Sequence, residues 1–237
     1  IEKYFSKLTD KVITITKEDY CLAKKKFSCE VERIHGVGVD EQRYFPVDEK
    51  VKDDLKEKMG YMSDQKIILC VGELNKNKNQ IMAIEAMAGI VKENPEAILV
   101  LAGNGSEKEN LEKAIEEKNL TGNVQLIGYV TNLQEYQYIA DVAISCSKRE
   151  GLPLNIVEAM LSGTPVVATM NRGHRELIQD GVDGFIVVVN DEKALENKII
   201  ELLNEKKMYD VISQQALDNA KQYTFKNVKR ELEKIYF

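Results

Sequence analysis

The sequence predicts an α/β protein built on an open parallel sheet with helices on both faces, and three observations carry that prediction. Short apolar runs recur, among them residues 67–71 (IILCV), 98–102 (ILVLA) and 142–146 (VAISC), too uniformly apolar for strands with one wet face. Between them lie segments whose apolar residues repeat at helical spacing. The two kinds of segment alternate along the chain, the rhythm of successive right-handed βαβ units.

Taken in order, residues 12–16 (VITIT) are predicted as a short strand, 17–27 as a helix and 31–35 as a second strand. Gly36 and Gly38 permit unusual backbone angles and Pro46 discourages regular structure, so 36–47 read as a connector between domains. A helix follows over 49–59. The strand at 67–71 ends at Gly72, and loop 72–79 leads into a helix from Gln80 with Ile81, Ile84, Met87 (or Ala88) and Val91 facing inward. Strands at 98–102, 124–127 and 142–146, with helices at 111–119 and 133–140, repeat the cycle. Pro153 is pre-set for a first helical position and Gly163 suits the left-handed residue past a helix end, which places a helix between them with Leu154, Val157 and Leu161 on one face. A buried strand at 165–168, a helix at 175–179, a turn at Gly181 and Gly184, a strand at 185–189 and helices at 192–205 and 208–222 complete the pattern. Residues 224–237 are amphipathic: Val228, Leu232 and Ile235 (or Tyr236) can pack on this domain or on a neighbouring one.

Composition narrows the function classes. The 237 residues, 43% hydrophobic and 30% charged, suit one large domain or two small ones. A net charge of −6 without a basic block argues against nucleic-acid binding, leaving only a local basic patch at Lys76 and Lys78. No apolar run is long enough for a membrane span. Cys21, Cys29, Cys70 and Cys146 show no CxxC spacing, which favours reduced cytosolic thiols over disulfides or a metal site. His35 and His174 have no ligand-spaced partners, and no metal is expected. GxSxG, HExxH and P-loop patterns are absent, removing the commonest hydrolase and NTPase readings. The chain starts at Ile1, without methionine, and reads as a piece of a longer protein.

In open α/β sheets ligands bind beyond the carboxyl ends of the strands, so the loops after those strands are the candidates. Loop 72–79 (GELNKNKN) brings backbone amides and the positive end of the following helix toward an anion, with Lys78 adding a full charge; a solvated lysine loop is the alternative. Gly103-Asn-Gly105 sits where a dinucleotide fingerprint belongs, but Lys108 replaces its third glycine and opposes a nicotinamide or flavin reading. Gly128-Tyr129-Val130 offers a flat side chain for a nucleobase, or ordinary packing. The NRGHRELI segment, with Arg172, Gly173, His174 and Arg175, can meet a phosphate or sugar, or be a solvated turn.

The richest stretch is EGLPLNIVEAMLSGTPVVAT, 150–169. Glu150 precedes its helix and Glu158 lies inside it, up to roughly 12 Å apart at the helical rise, beyond the separation of two carboxylates that flank one glycosidic bond. Different jobs are therefore expected of them.

This stretch resembles the E-x7-E segment of the family 4 retaining glycosyltransferases of GT-B fold. VGELNKNKN is similar to that family's phosphate loop, LAGNGSEKENLEKAIEEKNL to its central strand and helix, NVQLIGYVTNLQEYQYIADVAISCS to its base-binding region, and HGVGVDEQRYFP to its interdomain connector. The resemblance implies a Rossmann-like nucleotide-sugar-binding domain over 46–237, with the final helix packing toward a missing domain. Residues 1–45 then become the remnant of an N-terminal acceptor domain and the connector. It implies a donor site formed by Gly72, Glu73, Lys78, Gly103, Tyr129, Val130, Glu150, Gly151, Leu152, Pro153, Leu154 and Glu158. In it Glu150 holds sugar hydroxyls, helped by the backbone after Gly151, Glu158 holds the ribose, and Lys78 neutralises the departing diphosphate. Glu150 and Lys78 are the residues expected to act in the chemistry.

One departure concerns Glu73, which stands where the family usually has arginine. Lys76 or Arg172 compensates, or Glu73 turns away. The expected activity is transfer of a hexose or N-acetylhexosamine from a nucleotide sugar, uridine-linked, to a glycan or lipid-linked acceptor, as in bacterial surface polysaccharide synthesis. No cofactor or metal is expected, the location is cytoplasmic or at the inner membrane face with peripheral membrane association open to the full-length protein, and the fragment alone is expected to be inactive. The alternative is a non-catalytic nucleotide-sugar-binding module that works with a separate acceptor-binding chain.

Overall fold

The computed structural model describes residues 2–237 and divides them between two parallel sheets. Near the N-terminus, helix α1 (Glu2–Phe5) precedes strand β1 (Lys11–Thr14), helix α2 (Lys17–Lys26) and strand β2 (Glu30–Arg33), and β1 pairs with β2 in parallel across α2. Beyond the connector come α3 (Glu49–Lys58), β3 (Lys66–Val71), α4 (Gln80–Glu93), β4 (Ala97–Ala102), α5 (Lys108–Glu117), β5 (Val124–Gly128), α6 (Leu133–Ile139) and β6 (Val142–Ser145). The chain continues through α7 (Leu154–Leu161), β7 (Val166–Thr169), α8 (Arg172–Leu177), β8 (Phe185–Val187), α9 (Glu192–Asn204), α10 (Lys206–Ala220) and α11 (Phe225–Tyr236).

The six strands from β3 onward form one parallel sheet in the order β5-β4-β3-β6-β7-β8. Winding runs outward from β3 to β5, then resumes on the other side of β3 with β6. Strand order therefore reverses between β3 and β6, and in such sheets the crevice beyond the carboxyl ends of those two strands is the ligand position. The continuous apolar runs follow from burial on both faces. Ile68 and Cys70 of β3 join the layer of α4, α5 and α9, while the alternate residues Ile67 and Leu69 join that of α3 and α6. Across the switch point, Ala143, Val166 and Ala168 pack with α7 and α10.

Three expectations are corrected. Helix α4 turns Met82, Ala83, Ile84, Met87 and Ile90 inward, leaving Ile81 exposed and Val91 half-buried. Two overlapping apolar stripes run along this helix, and packing against α9 as well as the sheet selects the other one. Helix α8 begins at Arg172, not 175, because Asn171 caps it: its Oδ1 accepts from the His174 amide at 3.0 Å. Helix α7 is buried nearly all round, with Ile156, Ala159 and Met160 joining Val157 and Leu161 inside, so no single apolar face exists.

The connector is tied to the end of the chain. The Val39 amide donates to the Tyr223 carbonyl and the Phe225 amide to the Val39 carbonyl, each at 2.9 Å, while Glu231 of α11 accepts from the His35 amide at 2.8 Å. Val228 is buried there, with Leu232 and Ile235 half-buried. No helix among the described residues is long and apolar enough to cross a membrane.

Tyrosines in these layers carry a testable consequence. Burial pushes the phenols of Tyr44, Tyr61 and Tyr223 from 10.0 up to about 12. The folded chain thus holds these protons more tightly than the unfolded chain, so their contribution is complete below pH 10 and is lost as the pH rises toward 12. The urea midpoint is expected to fall steadily from pH 9 to pH 11. A midpoint flat over that interval contradicts this.

Candidate donor site at the switch point

The loops leaving β3 and β6 carry the two residues expected to act, and the structure joins them. In loop 72–79, Asn75 Oδ1 accepts from the amides of Asn77 at 3.0 Å and Lys78 at 2.9 Å, a side-chain turn that aims Lys78 across the crevice. Asn79 takes a left-handed conformation (φ 56°) just before α4, whose N-terminus carries no side-chain cap. Asn77 then stitches this loop to the one after β6: its Nδ2 donates to the Arg149 carbonyl at 3.0 Å, and its carbonyl accepts from the Lys148 amide at 2.8 Å. Lys78 Nζ consequently donates to Glu150 Oε1 at 2.7 Å, with the two side chains 23% and 13% exposed. A cavity of about 560 Å³ opens beside the pair, lined by Lys148, Arg149, Glu150, Gly151, Met170, Asn171 and Arg172.

Glycines set how closely these loops approach. A Cβ on Gly103 would stand 2.0 Å from the Gly72 carbonyl oxygen, and one on Gly105 would stand 2.2 Å from that of Leu74. The Leu74 amide donates to the Asn104 carbonyl at 2.9 Å and the Gly103 amide to the Gly128 carbonyl at 2.8 Å. The GNG turn therefore serves loop packing, and Lys108 is free to occupy an exposed helix position paired with Glu112. On the far side, a Cβ on Gly173 would meet the Gly151 carbonyl oxygen at 2.6 Å and Glu150 Cβ at 2.7 Å. The first turn of α8 lies directly against the Glu150 loop.

The remaining expected residues fall in distinct surroundings. Glu73 is exposed and its carboxylate accepts from Asn75 Nδ2 at 2.9 Å, while Arg172 pairs with Asp19 of α2 at 2.7 Å. Arg172 is thus engaged away from Glu73, and Lys76 is exposed. Tyr129 is 78% exposed just past β5, so it is not core packing, and Val130 beside it is half-buried. Gly151 is exposed, whereas Leu152 packs on Gly36, Pro153 is buried and Leu154 lies half-buried against the cluster of Val39 and Tyr44.

Glu158 does not share the surroundings of Glu150. It sits against Tyr44 of the connector, and burial pushes its carboxyl above the usual carboxylate range, opposed by the Tyr44 hydroxyl and the Arg43 charge. Sequence reasoning missed these two connector residues, whose hydroxyl and charge act on Glu158 from more than a hundred positions away. It also missed Asn155, whose Nδ2 donates to the last carbonyl of β3, Val71, at 3.1 Å and closes the crevice floor. His174 is placed by the sequence in a loop ahead of the helix expected at 175–179. It is fully buried in α8, and only the Asn171 cap three residues earlier signalled a helix there.

A larger cavity of about 700 Å³ lies away from this chemistry, among Phe5, Val12, Leu22 and Phe27 of the N-terminal unit.

An all-parallel sheet with this strand order and charged loops at its switch point defines a Rossmann-like domain of the GT-B kind. The chain belongs to the glycosyl transferases group 1 family, whose model matches residues 51–218. It is 34% identical over its whole length to the putative glycosyltransferase EpsD of Bacillus subtilis (strain 168), spanning 62% of that protein. It is 27% identical over 212 residues to a UDP-Gal:alpha-D-GlcNAc-diphosphoundecaprenol alpha-1,3-galactosyltransferase of Escherichia coli, covering 87% of this chain and 54% of the relative. In fold it is similar to Anabaena HepE in complex with UDP, at a TM-score of 0.88 and 21% identity, covering 98% of this chain and 64% of HepE. It is also similar to the pneumococcal O-GlcNAc transferase GtfA in complex with UDP and GlcNAc, at a TM-score of 0.80 and 21% identity over 98% of this chain and 46% of GtfA.

Proposed function

We propose that residues 46–237 form the donor-binding domain of a retaining glycosyltransferase that takes a hexose or N-acetylhexosamine from a UDP-linked donor. The observation that carries this reading is the Lys78–Glu150 pair at the switch point. A nucleotide diphosphate alone competes with Glu150 for Lys78, and a sugar alone competes with Lys78 for Glu150. An intact nucleotide sugar offers both replacements at once: its diphosphate to Lys78, its hydroxyls to Glu150.

In the transfer, the bond between the anomeric carbon and the diphosphate oxygen breaks and negative charge builds on the leaving group. Lys78, the amides of loop 72–79 and the uncapped N-terminus of α4 supply fixed positive charge for it, so this reading invokes no metal. Glu150 orients the sugar ring, Glu158 holds the ribose and Tyr129 offers a face to the uracil. Retention follows in this reading from attack on the face that the diphosphate vacates, without a protein nucleophile.

Residues 1–45 belong in this reading to the acceptor side, and the acceptor is a glycan or lipid-linked sugar at the cytoplasmic membrane face. Support for a lipid carrier comes from the diphosphoundecaprenol in the name of the E. coli relative. The relatives are longer than this chain, so donor binding is expected from it and transfer from the full-length protein.

Calorimetry with UDP, UDP-glucose and UDP-N-acetylglucosamine tests the reading on the chain as it stands. Tyr129→Ala is expected to leave stability within about 0.5 kcal/mol, as for an exposed side chain, yet to weaken every uridine ligand by about 1 kcal/mol or more through lost stacking. Unchanged affinity in that variant removes Tyr129 from the site, and no binding of any of the three overturns the donor reading.

A further inference from the structure

The loop that carries Glu150 is fixed from two sides. On the side of Lys78, Asn77 holds the Lys148 amide and the Arg149 carbonyl, as described above. On the other side stands Asn171, to which the proposed transfer gives no task. Asn171 is 8% exposed, and both ends of its carboxamide are bonded to backbone. Oδ1 accepts from the His174 amide at 3.0 Å, and Nδ2 donates to the Ser147 carbonyl at 2.8 Å. An amide N–H only donates and a carbonyl only accepts, so the carboxamide has one possible orientation.

The first of these bonds is an ordinary helix cap. The second reaches across to the loop after β6. Ser147 is three residues ahead of Glu150 and 1% exposed, and its carbonyl also accepts from the Thr169 hydroxyl at 2.6 Å, so two side chains from the end of β7 and the start of α8 hold one oxygen of the Glu150 loop. Helix α8 is itself anchored away from that loop: Glu176 Oε1 accepts from Arg33 Nη2 at 2.8 Å and from the Lys17 amide at 2.9 Å. Gly173, in the same first turn, admits the Glu150 loop to a distance that a Cβ would forbid. Lys78 depends on none of this, because Asn75 Oδ1 fixes its amide within loop 72–79.

We propose that Asn171 is a positioning residue for the transferred sugar: by tying the Ser147 carbonyl to the cap of α8 it sets where the Glu150 carboxylate stands, and so governs the sugar end of the ligand but not the diphosphate end. This rests on the donor reading above. It adds a separation between two kinds of ligand. UDP meets Lys78 and Tyr129 and is indifferent to Asn171, or gains slightly as a displaced Glu150 competes less for Lys78, whereas an intact nucleotide sugar needs Glu150 in place.

Calorimetry with UDP and with UDP-glucose or UDP-N-acetylglucosamine on Asn171→Ser tests this. Serine caps a helix as well as asparagine does, but its one hydroxyl replaces two polar atoms, and the bond to Ser147 is lost. Nucleotide-sugar affinity is expected to fall roughly three- to tenfold while UDP affinity stays level or rises. Asn171→Asp keeps the capping oxygen and sets a second acceptor against the Ser147 carbonyl, so a loss at least as large is expected, again for the nucleotide sugar alone. Because Asn171 acts through Glu150, adding Asn171→Ser to Glu150→Gln is expected to change nucleotide-sugar affinity by no more than about twofold.

Equal loss of UDP and nucleotide sugar in the Asn171 variants assigns the residue a purely structural role and overturns the proposal. A loss of nucleotide sugar that persists in full on top of Glu150→Gln overturns it too, since Asn171 then meets the ligand without Glu150 as intermediary. Unchanged affinity for every ligand shows that Thr169 alone suffices to hold Ser147, and equally overturns it. In each of these cases the unaltered chain still binds the nucleotide sugar and the donor reading stands; absence of binding by the unaltered chain defeats that reading and this one with it.

Discussion

Gly103→Ala is expected to destabilise the chain by about 3 kcal/mol or more, the largest effect of any conservative substitution at the site. Two costs combine. The residue has φ +146°, a region close to glycine-only, where another residue costs about 1–3 kcal/mol. The new Cβ would also stand 2.0 Å from the Gly72 carbonyl oxygen, and backbone on both sides is pinned, by the Gly103–Gly128 bond and by the bond from the Gly72 amide to the Ala102 carbonyl. Relief by a flexible side chain is not available, so the loops must part, and overpacking of this kind typically costs a further 1–3 kcal/mol, roughly. Gly122→Ala provides the control: a Cβ there meets nothing within 4 Å, and a change below about 0.5 kcal/mol is expected. Urea denaturation of the two variants checks this, and equal midpoints contradict the packing described for the GNG turn.

Lys78→Met is expected to show the largest effect on binding. Loss of a charge-assisted contact to the diphosphate weakens UDP by about 1.5–3 kcal/mol, or tenfold and more. The same change leaves the Glu150 carboxylate, only 13% exposed, without its partner, and a stability loss of about 1–2 kcal/mol follows from that unpaired group. Adding Glu150→Gln is expected to restore most of the stability and none of the UDP affinity. Calorimetry and urea denaturation on the single and double variants separate the two effects. Recovery of UDP binding in the double variant contradicts a direct contact between Lys78 and the ligand.

Much of this architecture is legible in the chain because buried parallel strands leave an unambiguous mark. Runs such as IILCV and ILVLA have no polar alternation, and only burial on both faces tolerates that. Loops leaving such strands on one edge follow from topology, which is why Lys78, Tyr129 and Glu150 could be picked out one by one. Their mutual arrangement could not. Pairing of Lys78 with Glu150 depends on Asn77 bridging to residues 148 and 149, a contact across seventy positions with no periodic signature. The surroundings of Glu158 depend in the same way on Arg43 and Tyr44, brought to α7 by the fold of the connector. Where local signals competed, tertiary packing decided: α4 offers two apolar stripes, and the sheet together with α9 selects one. At α8 the Asn171 cap starts the helix three residues ahead of the expected 175, and Gly173 in its first turn allows the close contact with the Glu150 loop.

Central to this account is that Glu150 and Lys78 are each other's partners at rest and become partners of the two ends of one ligand. Isothermal calorimetry of the Glu150→Gln variant with UDP and with UDP-N-acetylglucosamine or UDP-glucose tests that most directly. Removing the resting competitor for Lys78 is expected to leave UDP affinity unchanged or raise it, while loss of the hydroxyl acceptor weakens the nucleotide sugar by roughly tenfold. A variant that loses UDP and nucleotide sugar in equal measure contradicts the exchange, and with it the assignment of Glu150 to the sugar and Lys78 to the diphosphate.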